Sequence, residues 1–77
     1  MINKLRHLLS EVSYFNAAEG HQWFVETEAR ERAVVALQDF VKSYPERIVQ
    51  DALQELEHRK EYFMVHTHQI WGNSEND

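Results

Sequence analysis

Five histidines stand out in a chain of 77 residues: His7, His21, His58, His66 and His68. Imidazole is a common ligand for zinc and other transition metals, and His66-x-His68, with Glu61 or His58 alongside, supplies the ligand types of such a site. Helix geometry opposes it. Residues two apart on a helix point about 160° away from each other, so the pair converges only if residues 66–68 leave the helix. A second constellation is Glu55-x-x-His58, the spacing by which di-iron carboxylate bundles project ligands into their cores. On a helical wheel whose apolar stripe centres on Leu56 and Phe63, His58 points almost directly away from that stripe. These histidines therefore read as polar-face residues. The competing reading is a metal-binding helical protein, di-iron-like or with a His/Glu site built from Glu55, His58, Glu61, His66 and His68, assembled as an oligomer. No cofactor is assigned.

Other chemistry finds less support. The chain has no cysteine, hence no disulfide, thiolate metal site or Cys nucleophile. Ser10, Ser13, Ser43 and Ser74 lie in no nucleophile-elbow motif. Two isolated glycines cannot form a phosphate-cradling loop. The residues point to a protein that is not an enzyme. Lys and Arg number 8 against 13 Asp and Glu, giving a formal charge of −5. The basic residues are scattered and interleaved with acidic ones, which argues against direct nucleic-acid binding. An acidic surface instead favours a partner with a basic one. No apolar run approaches the ~18–20 residues of a membrane span. The N-terminal Met1–Arg6 stretch lacks the hydrophobic block of a signal peptide, so the expected location is cytoplasmic.

The elements that would position these groups are helical. Two glycines and one proline punctuate the chain, and what lies between them has helical period. The first segment, residues 2–19, carries Ile2, Leu5, Leu8, Leu9, Val12, Phe15 and Ala18 on one broad side, with Gly20 placed to end it. The second spans 27–43, with Thr27 near its start and Glu28 and Glu31 complementing the helix dipole. Its stripe is Ala29, Ala33, Ala36, Leu37, Phe40 and Val41. Trp23, Phe24 and Val25 then fall in the connector before it; the alternative is a helix that begins near His21 and carries that cluster itself. The third segment, 45–71, opens with Ser43 or Tyr44 as cap and Pro45 near the first helical position. Its stripe is Ile48, Val49, Ala52, Leu53, Leu56, Phe63, Thr67 and Ile70. With no breaker before Gly72 it predicts one helix about 40 Å long, overhanging partners of about 25–30 Å.

The ending Tyr62 … His68-Gln69-Ile70-Trp71-Gly72 resembles, over that short stretch alone, the C-terminal helix of the small cyanobacterial phycobilisome-degradation adaptors. Those are helical hairpins that dimerise. The resemblance requires a single-residue insertion, and no family is assigned from it.

The expected fold is all-α: a small three-helix arrangement in which a helical hairpin follows an N-terminal helix. Residues 1–71 form one domain, and 72–77 are a flexible polar tail. A core this small supplies only a few kcal/mol, about 3–5, so a homodimer is expected to complete it. The expected function is protein–protein binding, as an adaptor or a stoichiometric inhibitor or regulator. Such a size and charge suit a phage or mobile-element protein or a bacterial regulatory subunit. The expected partner or dimer surface is Phe63, Met64, Ile70 and Trp71, with Glu57 and Glu61 as its acidic surround. Trp71 is the anchor, because Trp buries a large area and still offers an N–H.

Overall fold

A computed structural model of the chain describes residues 1–18 and 27–72. Gly20, the Trp23 cluster and the tail from Asn73 onward lie outside the described residues. All regular structure among the described residues is helical, in the order α1 (Ile2–Ala18), α2 (Thr27–Lys42), α3 (Glu46–His58) and α4 (Thr67–Trp71). None of these helices is long and apolar enough to cross a membrane.

The first two helices match their periodicity. Leu5, Leu8, Leu9 and Val12 of α1 meet Ala33, Leu37 and Val41 of α2, and Val49, Ala52 and Leu56 of α3 complete the same cluster. Leu5, Val12, Leu37 and Val49 are fully excluded from solvent. α2 packs against all three other helices, and the alanine on its inner face lets α1 approach. Between α2 and α3, the Ser43 and Tyr44 N–H groups close a tight turn onto the carbonyls of Phe40 and Val41, both at 3.2 Å. The Tyr44 ring tilts against Phe40 with centroids 5.0 Å apart. Pro45 itself is the N-cap, in place of the expected Ser43 or Tyr44, so α3 starts one residue later than expected; the Pro45 carbonyl accepts the Ile48 N–H at 3.0 Å.

The long third helix is not formed, and the expectation of one helix over 45–71 is corrected. α3 stops at His58, the chain reverses at Arg59–Lys60, runs without regular structure over 61–66, where the Val65 N–H bonds the Phe63 carbonyl at 3.0 Å across Met64, and makes one further turn as α4. The wheel explains the break. A continuous helix would set Lys60 about 40° from Leu56, inside the apolar stripe, and Val65 about 180° away, in water. Reversal turns Lys60 outward and lets Phe63, Val65, Ile70 and Trp71 pack against the core. The apolar surface assigned to an overhang is thereby largely applied to the protein's own core. The stop is a Schellman motif: the Lys60 N–H bonds the Glu57 carbonyl at 2.8 Å, and the Glu61 N–H bonds that of Leu56 at 3.0 Å. The motif wants a left-handed residue, normally glycine, and here it is Lys60 at φ 61°.

Candidate interaction surface

Residues 61–72 form a strap laid across α1 and α2, and polar side chains of α1 fix it. Arg6, Leu9, Ser13 and Asn16 recur at helical spacing and share the side of α1 that faces the strap. Arg6 Nη1 reaches Glu61 Oε1 and Oε2 at 3.3 and 3.2 Å. Ser13 Oγ accepts the Met64 N–H at 2.9 Å, and Asn16 Nδ2 donates to the Met64 carbonyl at 2.7 Å. Ser13 and Asn16 thus satisfy both backbone groups of Met64, as a neighbouring strand would.

Among the described residues, Asn16 and Gln69 are the two buried polar ones, each 8% exposed. Asn16 Nδ2 donates to Gln69 Oε1 at 2.8 Å, and Gln69 Nε2 returns to Asn16 Oδ1 at 3.3 Å. Gln69 Oε1 also accepts the His66 N–H at 2.9 Å, capping the first turn of α4. From the other side Gln38 of α2 donates to the His68 carbonyl at 3.0 Å. Among the described residues no buried side-chain N or O atom lacks a partner.

Pinned this way, the strap alternates. Glu61, Phe63 and Val65 turn inward and are half-buried, while Tyr62 and Met64 project and are 72% and 56% exposed. Tyr62 borders an open hollow of about 530 Å³ with Gln54, Glu57, His58 and Lys60. On the opposite flank, Tyr14 and Phe15 of α1 line a groove of about 510 Å³ floored by Ala29, Ala33 and Ala36 of α2.

The expected interaction residues therefore divide. Phe63, Ile70 and Trp71 are half-buried against the core, Met64 is exposed, Glu57 is exposed at the hollow, and Glu61 is engaged by Arg6. The expected ligands are also distributed. Glu55 pairs with Arg59 at 3.3 Å, and His58 is exposed. His66 and His68 do come together once residue 66 leaves the helix, with ring centroids 5.7 Å apart and planes within 5°. Among the described residues, no group of three or more His, Cys, Asp or Glu is arranged to hold a metal ion. Sequence reading missed Asn16, Gln69 and Tyr62 as determinants. Asn16 did leave a signal, since it falls on the apolar side of the α1 wheel, where an amide must find a partner.

No family model matches this chain, and no curated protein or solved structure is significantly similar to it.

Proposed function

We propose that this protein is not an enzyme and works in the cytoplasm by stoichiometric binding of a protein partner through the outward ridge of the strap. The observation that carries the reading is the exposure of Tyr62 and Met64, 72% and 56%, on a strap held by the Glu61 side chain and by the backbone of Met64 and His66. Large side chains presented on a fixed backbone lose little freedom on binding, which is how aromatic anchors become hot spots. Glu57 beside Tyr62 and a net charge of −5 fit a partner with a basic surface. Trp71 serves the protein's own packing in this reading, so the anchor moves from Trp71 to Tyr62.

The test is a titration against the partner recovered from the source cells. Tyr62→Ala/Met64→Ala should weaken binding by about tenfold or more, at about 1 kcal/mol or more per truncated anchor, and keep the helical spectrum. Wild-type affinity should fall as salt rises. Unchanged binding by the double variant removes the ridge as the surface. Stoichiometric metal in protein purified without a His-tag, or turnover of a substrate, removes the non-enzymatic class.

A further inference from the structure

The strained hinge at Lys60 and the strap beyond it point to a second occupant for the strap's seat. We propose that residues 61–72 exchange between two copies of this chain, giving a domain-swapped dimer in which α3 runs on through Arg59–Lys60. Three observations converge. First, the hinge holds a lysine at φ 61°, where an L-residue carries a left-handed penalty that a helical Lys60 would not. Second, residues 46–71 contain no glycine or proline, so no helix breaker stands between α3 and the strap in the open form. Third, the strap is held by contacts that do not depend on which chain supplies it. Arg6–Glu61, Ser13–Met64 and Asn16–Gln69 each span about fifty sequence positions and form equally well between copies. Exchange keeps those contacts and relieves the left-handed Lys60 backbone, against the entropy of association and the placing of Lys60 beside the stripe of Leu56, so it is driven by concentration. The proposal is independent of what the Tyr62 ridge binds.

Charge reversal across the strap tests it. In Arg6→Glu the strap's Glu61 faces a glutamate, and in Glu61→Arg its arginine faces Arg6. Neither variant can form the pair within one chain or with its own kind. An exchanged heterodimer restores both pairs, one in each half. The two proteins, one carrying a mass label, are unfolded together, refolded at high concentration and examined by native mass spectrometry. The expected result is a heterodimer well above the half share that random pairing gives. A mixture that stays monomeric, or that pairs at random, overturns the proposal. Lys60→Gly provides the second arm. It removes a left-handed cost of about tenfold at each hinge, so refolded dimer should weaken by about a hundredfold. Dimerisation of Lys60→Gly as tight as wild type also overturns it.

Discussion

Replacing Asn16 by Ala tests whether the strap is locked by the Asn16–Gln69 pair or merely rests on the core. The substitution deletes two short hydrogen bonds, Nδ2 to the Met64 carbonyl at 2.7 Å and to Gln69 Oε1 at 2.8 Å. At about 1 kcal/mol net for each bond, that is about 2 kcal/mol. Gln69 Nε2 also loses its acceptor inside a residue only 8% exposed, and a buried donor left unpaired costs a further ~1 kcal/mol or more. The expected loss is about 3 kcal/mol, a large part of the roughly 3–5 kcal/mol that a core of this size supplies. At about 4–8 °C per kcal/mol, the melting temperature should fall by roughly 12–24 °C. Urea unfolding and calorimetry both read this. The decisive arm is a double-mutant cycle with Gln69→Ala, whose two losses should fall short of additivity by about 1 kcal/mol or more. Arg6→Ala serves as the comparison, because its pair with Glu61 is 39% and 29% exposed and should be worth under about 1 kcal/mol. If Asn16→Ala costs no more than Arg6→Ala, or if the cycle is additive, the lock does not exist.

Two further outcomes follow from the same geometry. Lys60→Gly should stabilise the monomer by about 0.5–1 kcal/mol, since relief of the left-handed backbone outweighs the added freedom of the unfolded chain; a loss of stability in chemical denaturation would contradict the Schellman assignment. Neighbouring residues of α3 should differ sharply: Val49→Ala, at a site with 0% exposure, should cost about 2 kcal/mol, whereas Ile48→Ala, 46% exposed, should cost under about 1 kcal/mol, as read by thermal melts.

Helix position was legible wherever a single stripe served a single core. Leu5, Leu8, Leu9 and Val12 fix the buried side of α1, and Ala33, Leu37 and Val41 that of α2. The first half of the third segment was legible for the same reason. Beyond His58 the pattern was ambiguous. Phe63, Thr67 and Ile70 continue the stripe of Leu56 at helical spacing, while Phe63 and Val65 also satisfy a period of two. Periodicity cannot choose between them, because every residue from Tyr62 to Val65 is apolar. What chooses is tertiary. A non-helical strap places both Phe63 and Val65 on the core and exposes Tyr62 and Met64, whereas a helix would strand Val65 in water and force Lys60 into the stripe.

The candidate surface was hidden by the same ambiguity. Reading 45–71 as one helix made Trp71 the exposed anchor and Glu61 part of an acidic surround. Once the chain turns at Lys60, both residues face their own fold, and Tyr62 and Met64 take the exposed positions. Polar residues decide this outcome. A strap with four half-buried apolar side chains could slide along the hydrophobic surface of α1. Ser13 and Asn16 read the backbone of one residue, Met64, and Gln69 joins Asn16 to the first turn of α4, so only one register satisfies every buried donor and acceptor. That register is what determines which side chains of the strap meet a partner, because burial alternates residue by residue from Glu61 to Val65, and a shift of one residue exchanges the inward and outward sets.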